Sequence, residues 1–186
     1  MVDEQERLEA LWREHMAPLV LYALRRCPTR VDAFDVVSEV YLVAWRRIGD
    51  VPLGAEARPW LFGVARNVLK NADRSERRRS RLSERLLREV EVVLPDETER
   101  SDDAARLHAA INALGSDAKE LLMLVAFDGL TIGEAAASLG IPVGTARVRL
   151  HRTRIALRKQ LERDGGLGHV HPVTHSRVAA RLTEVN

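Results

Sequence analysis

The stretch TIGEAAASLGIPVGTARVRLHRTRIALRKQL, residues 131–161, decides the architecture. Thr131 followed three residues later by Glu134 is a capping box: the hydroxyl accepts one orphan backbone N–H and the carboxylate accepts another. It opens a short helix with Ala135, Ala136 and Leu139 facing inward. Gly140 then takes a left-handed or tight turn at low steric cost, Ile141 fills the corner, and Pro142 suits the first turn of the next helix. That helix is expected to run roughly 18 residues, with Val143, Ala146, Leu150, Thr153, Leu157 and Leu161 as its buried stripe. A short helix, a glycine turn and a longer helix make the helix-turn-helix plan, and the small inner alanines let the two helices approach.

The rest of the longer helix carries Thr145, Arg147, Val148, Arg149, His151, Arg152 and Arg154. Arginine suits both phosphate oxygens and guanine edges. The free N–H groups at Val143 to Thr145 form an anion-binding end, and Val148 can meet a thymine methyl. Phosphate contacts position a domain and a few side chains read bases. Arg147, Val148 and Arg152 are expected to read; Thr145, Arg149, His151 and Arg154 are expected to hold the backbone. The plainer alternative is a helical hairpin with a solvated charged face. The coincidence of turn and basic face favours DNA.

Upstream, Leu107, Ala110, Ile111 and Leu114 share one helical face, Gly115 and Ser116 turn the chain, and Ala118 to Phe127 reads as a second helix ended by Asp128 and Gly129. Residues 105–163 are therefore expected to form a four-helix domain with a helix-turn-helix. Residues 164–186 open with Gly165, Gly166 and Gly168 and are expected to be a flexible extension. Pro95 and seven acidic residues between Glu89 and Asp103 mark a flexible acidic linker, 86–104.

A second helical domain, 1–85, is expected before it, and the fold class is all-α. Leu8, Leu11, Trp12, His15, Leu19 and Tyr22 recur at helical spacing, with Pro18 as a kink or break and Pro28 and Thr29 ending the segment. Asp32 and Asp35 suit the start of the next helix. Val36, Val37, Val40, Tyr41, Ala44, Trp45 and Ile48 form its apolar stripe; Asp35, Glu39, Arg46 and Arg47 form its exposed face. After a loop from Gly49 to Gly54, a third helix should begin near Pro59 and carry Trp60, Leu61, Val64, Ala65, Val68 and Leu69. Tyr41, Trp45 and Trp60 lie close in sequence to basic residues, a pairing that can stack single-stranded bases while phosphates are held. Core packing is the competing reading, stronger for Tyr41 and Trp45 than for Trp60.

Lys and Arg total 29 against 27 Asp and Glu, so it is distribution that informs. Residues 58–88 hold ten basic and three acidic side chains, and residues 145–163 hold seven basic and one acidic. Two basic blocks flank the acidic one. Cys27 is the only cysteine, which excludes an internal disulfide or thiolate cluster and fits a reducing cytoplasm. There is no signal-peptide pattern and no apolar run long enough to span a membrane. His169, His171 and His175 lack a rigid frame and a carboxylate cluster, so no metal or other cofactor is expected. No phosphate loop and no nucleophile–base pattern supports an enzyme.

Three segments, DVVSEVYLVAWRR (35–47), WLFGVARN (60–67) and GLTIGEAAASLGIPVGTARVRLHR (129–152), resemble the bacterial RNA polymerase sigma factors of the extracytoplasmic-function class, in the sigma-70 family. The resemblance covers roughly residues 8–82 and 105–161 and takes its strength from three motifs in order. It implies that the first domain docks on the clamp helices of the polymerase largest subunit, with Asp35, Glu39, Arg46 and Arg47 as the docking face. It implies that Trp60, Arg66, Asn67, Lys70, Asn71 and Arg74 open the minus-ten promoter element and hold flipped bases. The second domain resembles the one that reads the minus-thirty-five element and touches the polymerase flap. An anti-sigma factor is a further implied partner. The chain departs from the common pattern at Ser38, where Gln is usual, at Asn71, where Asp is usual, and at Gly133, Ala146 and Val148. The alternatives are a conventional helix-turn-helix regulator that binds duplex DNA as a dimer, and an interaction module for an acidic protein.

Overall fold

The computed structural model describes residues 4–83 and 102–163, with side chains from 4 to 74 and from 106 to 163. The described chain is helical: α1 (Glu4–Leu24), α2 (Arg30–Arg46), α3 (Ala57–Ser83), α4 (Asp102–Asn112), α5 (Ser116–Ala126), α6 (Ile132–Leu139) and α7 (Val143–Arg163). It divides into two compact units, with α1 to α3 in the first and α4, α5 and α7 in the second. The helix α6 straddles the division and is taken with α7, to which its turn joins it. Most of the expected linker, and the whole extension from 164 with its histidines, lie outside the described residues. The helix α4 begins at Asp102, within the last residues of the expected linker.

In the first unit, α1 packs through Leu11, His15, Leu19 and Tyr22, as its spacing predicts. Pro18 neither ends nor splits it: the helix continues from Glu4 to Leu24. Proline removes one N–H, and a well-packed stripe on both sides of it outweighs the lost bond. Trp12, expected in the core, is 45% exposed. Its ring lies 4.4 Å from that of Tyr41, which is buried and donates its hydroxyl to the Leu11 carbonyl at 3.2 Å. Burial alone pushes the Tyr41 phenol well above its ordinary pKa.

Thr29 does not end a segment; it is the N-cap of α2, and its oxygen accepts the Asp32 backbone N–H at 3.1 Å. Its hydroxyl donates to the Asp32 carboxylate at 2.6 Å, which ties the cap to the first turn. Between α2 and α3 the expected loop contains two 3-10 turns, Ile48–Asp50 and Gly54–Glu56. Val51 is buried there, and Arg7 of α1 donates to its carbonyl. The helix α3 begins at Ala57, slightly before Pro59, and buries Leu61, Phe62 and Ala65. Tyr22 meets Phe62 edge-on at 5.2 Å and so joins α1 to α3.

In the second unit Ala110, Ile111, Leu121, Leu122 and Leu124 are buried together with Ala146, Leu150 and Leu157. The capping box forms in full: Thr131 N–H donates to Glu134 Oε2 at 2.7 Å, and Glu134 N–H donates to Thr131 Oγ1 at 3.2 Å. Ala135 and Ala136 are wholly buried, and Gly140 adopts φ +66°, a conformation costly for any residue with a Cβ. The helix α7 has 21 residues and buries Ala146, Leu150, Thr153 and Leu157. Val143, expected inside, is exposed at the first position of α7.

Candidate nucleic-acid interface and docking face

Projected at about 100° per residue, the free side of α7 centres opposite Leu150. Thr145, Val148 and Arg152 occupy that apex, and all three are exposed. Val148, at 51%, is an apolar spot among cations. Arg147 and His151 are exposed on one flank; Arg149 is half-buried on the other. Arg149 Nη1 lies 3.6 Å from Asp117 Oδ2 at the start of α5. Thr153, from the buried stripe, donates its hydroxyl to the Arg149 carbonyl at 2.8 Å. Arg154 departs from the expected set: it lies close to the buried stripe, and burial lowers its pKa. Six of the seven expected residues thus share one surface, and the seventh, Arg154, is half-buried beside the stripe.

The same projection sorts the residues of α3. Trp60, Asn67, Asn71 and Arg74 fall on one line at intervals of 7, 4 and 3 residues, with Lys70 beside it. Asn67, Lys70, Asn71 and Arg74 are exposed, and Trp60 is half-buried at the N-terminal end of the line. The line spans roughly 21 Å at the α-helical rise, the length of several stacked nucleotides. Arg66 is half-buried and lies to the far side of Lys70, away from Trp60.

On α2, Asp35, Glu39 and Arg46 align on one exposed stripe. Arg47 sits apart as the C-cap, where its Nε meets Asp50 Oδ2 at 3.0 Å. Sequence periodicity missed what lies next to that stripe. Phe34, Leu42 and Trp45 are exposed on the same helix, Trp45 at 63%, so Trp45 is not a core residue. Leu42 and Trp45 join Leu8, Trp12 and Met16 of α1 in lining an open apolar groove of about 900 Å³. The signal was available: α2 is apolar around most of its circumference, more than a single packing partner can cover. Tyr41, by contrast, is core. Among the described residues no group of three or more His, Cys, Asp or Glu could hold a metal, and no helix is long and apolar enough to cross a membrane.

Comparison with known proteins follows the same division. Residues 11–79 match the Sigma-70 region 2 family, and residues 104–157 match Sigma-70, region 4. The chain is 35% identical over 166 residues to the ECF RNA polymerase sigma factor SigL of Mycobacterium tuberculosis, covering 87% of this chain and 93% of that protein. Its fold is shared with the sigma factor RpoE of Bartonella quintana, solved in complex with the anti-sigma factor NepR; the TM-score is 0.61 at 24% identity, covering 84% of this chain and 99% of that one. CnrH, solved with the cytosolic domain of CnrY, gives a TM-score of 0.59 at 23% identity, covering 88% and 92%. With both regions in order and a relative matched nearly end to end, the chain belongs to the extracytoplasmic-function RNA polymerase sigma factors of the sigma-70 family.

Proposed function

We propose that this chain binds core RNA polymerase and directs it to promoters by reading two DNA elements with two helical faces. The observation that carries this is the free side of α7, where Thr145, Arg147, Val148, His151 and Arg152 are exposed behind a capped, glycine-turned α6. That side enters the major groove of the minus-thirty-five element. Arg147, Val148 and Arg152 read base edges there, while Thr145, Arg149 and His151 hold phosphates. Arg154, half-buried beside the stripe, joins them in holding the backbone.

The α3 line of Trp60, Asn67, Lys70, Asn71 and Arg74 holds the opened minus-ten strand. Stacking on an aromatic ring is worth about 1–3 kcal/mol per base, enough to offset part of the cost of unstacking. Arg66 supports it from the flank. The α2 stripe of Asp35, Glu39 and Arg46, with Arg47 and the apolar groove beside them, docks on the clamp helices of the polymerase largest subunit, and the α7 domain touches the flap. The division of labour follows the boundaries 1–85, 86–104, 105–163 and 164–186. The protein performs no covalent step. It works in the cytoplasm, and an anti-sigma factor is its counterpart, as NepR is for RpoE.

Transcription with purified core polymerase on genomic DNA, with and without the protein, tests this reading. New start sites preceded by a common pair of elements are expected. Their absence refutes it, and duplex binding as a dimer on a palindrome without polymerase would favour a conventional regulator instead.

A further inference from the structure

A carboxylate stands beside the DNA-facing side of α7, where repulsion from phosphates makes it costly. Asp117 is in the first turn of α5, and its Oδ2 lies 3.6 Å from Arg149 Nη1. Asp117 is 63% exposed and Arg149 34%, so the pair is wet and loosely held. The two helices border a shallow cleft of about 650 Å³ in which Ala118 of α5 faces Gly144, Thr145, Val148 and Arg152 of α7. The small residues on both sides leave room for a strand of backbone, and Arg149 lines the same cleft beside Val148 and Arg152.

We propose that Asp117 is a positioning residue for promoter recognition: it holds Arg149 against the α5 side of the cleft, away from base edges, and yields it to a backbone phosphate when duplex DNA docks. The proposal builds on α7 entering duplex DNA. In the free protein the pair cancels charge on that flank, so random DNA gains little from Arg149. On a correct site, where Arg147, Val148 and Arg152 fix the register, the guanidinium exchanges its carboxylate for a phosphate. Asp117 thereby suppresses non-specific binding more than specific binding, a case of discrimination by an unfavourable element.

The test uses the full chain bound to core polymerase, with promoter duplex and a scrambled minus-thirty-five duplex titrated at several salt concentrations. Asp117→Asn is expected to tighten binding to the scrambled duplex about 5-fold and to the promoter less than about 2-fold, lowering the specificity ratio. The slope of log affinity against log salt should steepen by up to about one, because a freed arginine now releases a counterion without surrendering a partner. Asp117→Glu keeps the charge and should restore the original ratio. In an Arg149→Ala background the Asp117→Asn gain should largely vanish. An equal gain in both backgrounds would mean that only bulk charge had changed and would overturn the proposal, as would an unchanged ratio. Arg147→Ala in the same titration reports separately on α7: if promoter binding is indifferent to it, the DNA-entering reading itself has failed, whatever Asp117 does.

Discussion

The two helices α2 and α7 each bury one stripe and present the other to solvent, yet their free sides differ in kind. That of α7 is cationic, with Val148 as its apolar spot at the apex. That of α2 is a line of charges of both signs beside exposed Phe34, Leu42 and Trp45. A cationic face suits a polyanion, whose affinity is dominated by counterion release and falls steeply with salt. An apolar face rimmed by mixed charge suits a protein, where a few aromatic anchors carry most of the energy. One small chain thus presents two faces suited to different partners, and the difference can be measured.

The largest expected effect falls on α7. The double substitution Arg147→Ala with Arg152→Ala removes the two proposed base contacts, each worth about 1–3 kcal/mol, and should lower promoter-specific transcription on the order of 100-fold. Core polymerase binding, measured by co-elution, should be unchanged. A parallel loss of polymerase binding would erase the distinction between the two faces.

Next comes the groove. Trp45→Glu places a charge where an apolar anchor is expected and should weaken core polymerase binding roughly 10-fold. Since Trp45 is largely exposed, the melting temperature should hardly move. Polymerase affinity insensitive to this change would leave docking to Asp35, Glu39 and Arg46 alone.

Legibility in the sequence also divides along this line. The α6–α7 turn could be read because its punctuation is local: Thr131, Glu134, Gly140 and Pro142 each impose a backbone condition on the next few residues, and the hydrogen bonds and φ angle appear where those residues require them. The placement of Trp12 and Trp45 could not. Period 3.6 marks an apolar stripe, but α2 has apolar residues on both sides, and which side packs depends on α1 and α3, which are remote in sequence. Arg154 is hard to place for a related reason: it lies one turn after Leu150, beside the buried stripe, and its charge masks that position in the sequence. Thr29 reads as a terminator because Pro28 precedes it, although a threonine before a helical stripe is itself a start signal, and its oxygen accepts the Asp32 N–H.

Those two caps allow a finer comparison. Thr29→Ala and Thr131→Ala each remove a side-chain acceptor from a helix start and should each cost about 1 kcal/mol. Hydrogen exchange should localise the damage, with faster exchange in the first turns of α2 for one and of α6 for the other. Protection lost evenly across both units by either variant would contradict the division into two units.

The smallest effect separates the units by pH. His15 is buried in the first unit, whereas the described histidines of the second, His108 and His151, are exposed. Burial lowers the His15 pKa; the nearby Glu14 carboxylate opposes this in part, and Arg58 adds to it. The folded state therefore favours the neutral ring. As pH falls through the unfolded value of about 6.5, the unfolded chain takes up a proton that the folded chain still refuses, and stability is lost until pH passes the lower folded pKa. The loss can reach about 1.4 kcal/mol for each pH unit in that window. Melting followed by exchange in α1 to α3 should thus weaken between about pH 6.5 and the lower folded pKa. His15→Gln cannot titrate and should remove that part of the pH dependence even if it lowers stability overall. An undiminished acid sensitivity of the first unit in His15→Gln would place its origin among the carboxylates instead.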